Sequence, residues 1–231
     1  MLRFVLRGFA RHVLAQEWQG IRSQIDRLAA SGGAQPPLIA QQLLVSGEDH
    51  RHGHHPGYDL IAILRAIWKR LLGKSREGGS TIEQQLVRVL TGHFERTIRR
   101  KLKEIGLAAL VAENYPKHLL PRMYLRIAYY GAHMNGYAQA CRRLKLDPVS
   151  LSLEDAAMVV ARLKYPQPHA LPDSRRRQIQ IRARHLISLR IHHLRDATYE
   201  CLTTTARATT LSHAHLDEAA SGLLPDPITG P

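Results

Sequence analysis

GGSTIEQQLVRVLTGHFERTIRRKLKE, residues 78–104, decides the reading of the fold. Two glycines open it, and Ser80 and Glu83 stand at the Ser-x-x-Glu spacing of a capping box, so a helix is expected to begin just after Gly79. It runs to about Gly92, and a second helix follows over Glu95 to Ala112. Helical periodicity continues outward on both sides: Trp18 to Ala30, Leu38 to Val45, Leu119 to Tyr130, an Ala-rich segment after Gly136, Leu153 to Leu163 and Ser174 to Leu194. Asp59 is placed to N-cap a helix stopped by Gly73, with Leu60, Ile61, Ile63, Leu64, Ile67, Trp68, Leu71 and Leu72 on one broad, core-facing side. Alternating strand patterns are nearly absent and no internal repeat is visible. The fold class is therefore mostly α.

At 231 residues and 44% hydrophobic the chain is long enough for one well-buried domain. Ser31-Gly32-Gly33-Ala34-Gln35-Pro36-Pro37 is a breaker-rich linker, dividing a helical arm and linker (1–37) from a domain over 38–200. The Thr-rich stretch 201–231, ending in Pro-spaced residues, reads as a loosely ordered tail. Lys plus Arg outnumber Asp plus Glu by 33 to 19, a formal charge of +14. Such a surface attracts polyanions: nucleic acid, anionic headgroups or a pyrophosphate. With aromatics at only 6% and no recognised binding motif, nucleic acid is not expected. Cys141 and Cys201 form neither a CxxC pair nor a zinc ligand set. No stretch reaches the roughly 20 apolar residues of a membrane span, and no export signal is visible. Met1–Leu14 alternates Arg3, Arg7, Arg11 and His12 with apolar residues, the pattern of a basic amphipathic helix that lies on a membrane or packs on the domain.

Three constellations can carry chemistry. Glu48-Asp49 opens a loop rich in histidine (His50, His52, His54, His55) that ends at Gly57-Tyr58-Asp59. Its bland reading is two solvated carboxylates beside an adventitious metal binder, and no residue is assigned to a metal. Gly78-Gly79-Ser80-Thr81 leads into Gln84-Gln85, and a permissive backbone at a helix N-terminus suits an anion. A capping box alone explains Ser80 and Glu83 but leaves the glycines and glutamines unexplained. Arg88 lies one turn beyond, on the same face. On the next helix Arg96, Arg100 and Glu104 fall at i, i+4 and i+8 with Lys101 beside them, a run that is most often a solvated charged face.

Taken in order, these pieces resemble the peptidoglycan glycosyltransferases, the family of monofunctional transglycosylases and of the polymerase domains of large penicillin-binding proteins. The family's first motif, E-D-x-x-F-x-x-H-x-G-x-D, is matched by Glu48, Asp49, His55, Gly57 and Asp59, with His52 at the aromatic position. Its G-G-S-T-I-T-Q-Q is matched except for Glu83, and Arg88 stands where members usually carry lysine. Its R-x-x-x-R-K-x-x-E is matched by Arg96, Arg100, Lys101 and Glu104 without insertion or deletion from Gly78. A fourth match retains Lys117, Tyr124 and Gly131 but carries Arg122 for an acid and Arg126 for asparagine. A fifth places Glu154 as a structural hydrogen-bond partner, and the resemblance covers roughly Leu38 to Pro168.

The resemblance implies a lysozyme-like helical domain that polymerises lipid II by inverting transfer, expelling undecaprenyl pyrophosphate. It implies Glu48 as general base and Glu104 as the second catalytic carboxylate, orienting cations or holding a divalent ion. Asp49, His55, Gly78, Gly79, Ser80, Thr81, Gln84, Gln85, Arg88, Arg96, Arg100 and Lys101 would contact substrate. The cofactor is unknown, with room for Mg or Mn at the pyrophosphate. Implied partners are lipid II, an anionic membrane surface and other cell-wall synthesis proteins. The implied location is the periplasmic face of the inner membrane, peripherally bound. Two readings compete: a degenerate homologue that binds lipid II or a membrane without catalysis, supported by His52, Glu83, Arg122 and Arg126, and a lysozyme-like glycan cleaver. The cation-rich helix opposes the cleaver, because a neutral glycan offers no pyrophosphate to bind.

Overall fold

The computed structural model describes residues 8, 12–73 and 79–202. Most of the Met1–Leu14 helix, Gly78 and the tail from Thr203 lie outside the described residues. Nine helices occur among those described: α1 (Ala15–Ala30), α2 (Leu38–Glu48), α3 (Leu60–Leu71), α4 (Ile82–Thr91), α5 (Ile98–Asn114), α6 (Leu119–Ile127), α7 (Tyr137–Leu144), α8 (Leu153–Lys164) and α9 (Asp173–His193). A short antiparallel hairpin, β1 (Tyr129–Gly131) and β2 (Met134–Asn135), stands between α6 and α7. The mostly helical expectation holds.

α2 is the centre of the packing. Ala40, Gln42, Leu43, Leu44, Val45 and Ser46 are all buried, so it is covered around most of its circumference, as a helix without a polar face must be. α8 and α9 pack on one side of it and α6 on the other, while α4 joins α5 to α6. Polar ties from the C-terminal half fix α2 along its length: Arg190 Nε donates to Gln42 Oε1 at 2.9 Å, Ser46 bonds to the Tyr199 hydroxyl, and Arg182 Nη2 donates to the Gly47 carbonyl at 2.8 Å. Because its final residue is Glu48, these ties also fix where that carboxylate emerges.

α1 buries Ile21 and Ile25 and packs on α4, α5 and α6. Its junction with α2 is held by Arg126, whose guanidinium donates to the carbonyls of Leu28, Ser31 and Gly32. The arginine that replaces the family's asparagine thus ties the Ser-Gly-Gly linker down.

Four expectations need correction. α3 does not face the core: Leu60, Ile61, Leu64, Trp68 and Leu72 are exposed, Leu64 and Trp68 to 65% each. Asp59 caps it as expected, accepting from Ile61 N–H at 2.9 Å, but the helix turns its apolar side outward. The second correction concerns α4, which starts one residue later than a Ser80 cap implies. Thr81 accepts from Gln84 N–H, and Glu83 points into the core instead of closing a capping box. The third is that Arg96 precedes the Thr97 N-cap of α5, so it lies outside the helix that carries Arg100 and Glu104. Glu154 is also exposed, without a hydrogen bond to any described residue, and Ser152 caps α8 in its place.

Candidate active site

The site is assembled where the C-terminus of α2, the histidine loop and the N-terminus of α4 meet. Asp49, buried, accepts the Ile82 backbone N–H at 3.0 Å, so a carboxylate sits at the positive end of α4. His55 Nε2 donates to the same carboxylate at 2.9 and 3.0 Å. Burial opposes ionisation of Asp49, but the His52 and His55 imidazoles beside it outweigh that and hold the carboxyl well below the usual range. Thr81 Oγ1 donates to the Gly57 carbonyl at 2.7 Å, a second link between loop and helix. Gly57 has φ +94° and lies against α5 so closely that a Cβ would fall 2.2 Å from the Ala108 carbonyl oxygen, which explains why only glycine serves there.

Glu48 is 24% exposed. Its Oε1 accepts from Arg182 Nη2 at 2.9 Å, and its Oε2 lies 3.5 Å from Gln85 Nε2 on α4. Tyr124 lies nearby, and burial, reinforced by the Glu48 charge, pushes its phenol well above the ordinary value, so it stays protonated. Arg182 is an unexpected member. It comes from α9, 134 residues away, with a side chain only 9% exposed. The signal that finds it is its position: Ile179, Arg182, Ala183 and Leu186 form the buried i, i+3, i+4, i+7 stripe of an otherwise charged helix.

One turn along α4 from Gln85, Arg88 reaches Glu104 with two donors at 2.9 and 3.0 Å. Arg100 and Lys101 close on the same carboxylate, Lys101 at 2.9 Å. Glu104 is thus a buried anion ringed by three cations, and Lys101 and Arg88 continue to the Ser80 hydroxyl at 2.9 and 3.3 Å. Lys101 also donates to Gln84 Oε1. Burial works against both charges. Arg88 and Lys101 nevertheless hold the Glu104 carboxyl below its ordinary value, whereas desolvation leaves the Lys101 ammonium lowered. A groove of about 240 Å³ opens beside the ring, lined by Arg88, Arg99, Arg100, Lys103 and His93. Arg96 is exposed and makes no bond to a described residue, so it stands apart from the ring. Gly79 closes on α3, where a Cβ would meet the Ala62 carbonyl oxygen at 3.1 Å.

Two of the departures from the expected motifs meet each other. His52 and Glu83 are both fully buried, with His52 Nδ1 3.5 Å from Glu83 Oε1 and 3.5 Å from Asp49 Oδ2. Lys117 pairs with Glu83, and His52 Nε2 donates to the Lys117 carbonyl at 3.0 Å. Burial by itself would depress the His52 imidazole, but the charges of Glu83 and Asp49 raise it. At the family's aromatic position, then, this chain buries an imidazole completely.

The ring makes a pH-dependent contribution to stability. Replacing Glu104 by Gln is expected to lower stability by roughly 2–3 kcal/mol near neutral pH, less than for a fully buried pair because the three cations are 18–30% exposed. The folded carboxyl lies below its ordinary 4.5, so the contribution is complete above that value and is lost as pH falls through the lowered one. Melting temperatures of wild type and variant, compared from about pH 7 to about pH 3, should converge at the acid end.

A family model described as Transglycosylase matches residues 16–190. Penicillin-binding protein 1A of Aquifex aeolicus is 38% identical over 124 residues, covering 53% of this chain and 17% of that protein. Penicillin-binding protein 1F of Bacillus subtilis is 30% identical over 136 residues, 58% of this chain and 19% of that one. The monofunctional glycosyltransferase of Staphylococcus saprophyticus is 38% identical over 88 residues, 38% of this chain and 33% of its own. The chain therefore spans a third or less of the length of these relatives. With most of its length inside the family's model, and with a loop carboxylate joined through one helix to a ring of cations, the chain belongs to the transglycosylase family of peptidoglycan glycosyltransferases.

Proposed function

We propose that this glycosyltransferase polymerises lipid II. The acceptor 4-hydroxyl oxygen attacks the donor anomeric carbon with inversion, its proton passes to Glu48, and the bond to the pyrophosphate breaks with the electron pair leaving on oxygen. The observation that carries this reading is that α4 presents Gln85 toward Glu48 and, three residues on, Arg88 toward Glu104. Three residues of helix rise about 4.5 Å, so base and cations lie on neighbouring turns, as a nucleophile and a leaving group on one sugar carbon require. Arg88, Arg100 and Lys101 take up the developing charge, and Glu104 holds them in place. Arg182 positions Glu48 by fixing one carboxylate oxygen and leaving the other toward the substrate side.

One feature favours a second reading, binding without turnover: one oxygen of the Glu48 carboxylate is already engaged by the Arg182 guanidinium. A lipid II polymerisation assay in liposomes separates the two. Wild type is expected to yield glycan polymer, and Glu48→Gln to be slower by about 10²–10⁴-fold with lipid II binding retained. Binding by wild type without polymer would establish the second reading.

The positioning role of Arg182 gives a different pattern. Arg182→Met is expected to lower kcat by about 10–100-fold with little change in KM, and Arg182→Lys to recover most of the loss. Equal loss in both variants with equal fall in melting temperature would mean that Arg182 serves packing alone.

The outward apolar face of α3 is suited to a bilayer, where a polyprenyl chain must be reached, and the net charge of +14 suits an anionic one. With Trp18→Phe as background, the fluorescence of Trp68 should shift to the blue on adding anionic vesicles. Leu64→Glu should weaken vesicle binding by about 10-fold or more. No spectral shift and unchanged binding would remove α3 from the membrane contact.

A further inference from the structure

We propose that Asp49, His52 and Glu83 form a buried site for a divalent transition cation of the zinc type, separate from any ion at the pyrophosphate. The inference begins with hydrogen-bond accounting. His52 Nε2 faces the Lys117 carbonyl, which can only accept, so Nε2 carries the proton and the neutral ring presents its lone pair at Nδ1. That lone pair is fully buried and has no hydrogen-bond partner, and neither has Glu83 Oε2. Buried polar atoms without partners destabilise a fold by about 1–3 kcal/mol each, so an adjacent orphan pair calls for a ligand.

Either a proton or a metal ion can satisfy His52 Nδ1, and distance discriminates between them. A charge-assisted N–H···O bond is about 2.7–2.9 Å long. His52 Nδ1 is 3.5 Å from the Asp49 carboxylate and 3.5 Å from the Glu83 carboxylate, too far for such a bond to either. It is close to the ligand-to-ligand spacing of about 3.4 Å that tetrahedral zinc imposes when its bonds are about 2.0–2.2 Å. A proton would also leave Glu83 Oε2 unsatisfied; the 3.5 Å spacing is to Oε1, the oxygen that Lys117 holds, and an ion on this carboxylate brings a charge to its unpartnered oxygen as well. Candidate ligand atoms from Asp49, His52, His55 and Glu83 all lie within 4.8 Å of one another.

His55 belongs to the outer shell. The Gly57 N–H donates to its Nδ1 at 3.2 Å, so Nε2 holds the proton and donates it to Asp49. Both histidines then follow the rule for metal sites. The ligand His52 gives its remote N–H to a backbone carbonyl, and the ligand Asp49 is braced by an imidazole and by the Ile82 amide. Three protein ligands leave a fourth position for a solvent oxygen. The opposing feature is the Lys117 ammonium on Glu83; at 21% exposure it has a route to solvent when a cation enters. Charge balance also favours occupancy: two carboxylates face one ammonium, and a neutral imidazole leaves the set net negative. The site depends on two of the positions at which this chain departs from the family's motifs, where phenylalanine and threonine offer no such ligands.

The test is zinc binding by the full chain after treatment with a chelator, measured by competition with a chromogenic indicator, with cobalt absorption reporting coordination number. Wild type should take up one equivalent beyond any shared by the variants, show a four-coordinate cobalt spectrum, and melt at a higher temperature when zinc is added. His52→Phe and Glu83→Thr restore the residue types of the family motif, so they keep the fold, and each should weaken that equivalent by about 10-fold or more. Glu83→Gln should do the same without a change of shape, and Lys117→Met should tighten binding. Equal zinc uptake by wild type, His52→Phe and Glu83→Thr would overturn the proposal, leaving only adventitious binding by surface histidines. So would the absence of a four-coordinate cobalt spectrum in wild type, which would assign a proton to His52 Nδ1.

Discussion

The structure depends on one buried carboxylate. Asp49 stands at the point where α2 ends, and it is bonded to the first amide of α4 and to His55 across the loop. A charge removed from water persists only where donors replace the lost hydration, and here an imidazole and a helix N-terminus do so. The consequence is geometric. Apolar contacts are non-directional, whereas this bond holds Glu48 and Gln85 to one relative position.

The same principle recurs around Glu104, with cations as the donors. One buried anion collects three cations, which would otherwise repel one another along a helix. The arrangement stores positive charge at fixed places before any ligand arrives, and preorganised charge of this kind is a form in which proteins stabilise developing negative charge. Each member of the ring has a partner at 3 Å or less or in direct contact, so substitution at one position is felt at the others.

α3 shows where a pattern from sequence misleads. Its apolar stripe is real and its Asp59 cap forms, yet the stripe faces outward. Hydrophobic periodicity reports that a helix has an apolar side and does not report what covers that side. The same limit applies to Glu83. The capping-box spacing was present, but the ammonium of Lys117 takes the carboxylate in place of the local backbone. Arg182 was hidden for another reason: its partner is 134 residues away, and among many arginines only its place on a buried stripe distinguishes it.

The sequence by itself determined the helical class, most helix spans to within a few residues, and the roles of residues whose partners are local. The Asp59 cap, the Gly92 stop, and the Arg100 and Lys101 contacts to Glu104 are of this kind, because near neighbours in sequence meet on any helix. Tertiary structure alone decided that Arg182 reaches Glu48, that His52 meets Glu83, that Arg96 stands apart from the cation ring, and that α3 turns outward. Each of these depends on which distant surface is presented to a side chain, and helical periodicity specifies a face without naming its neighbour.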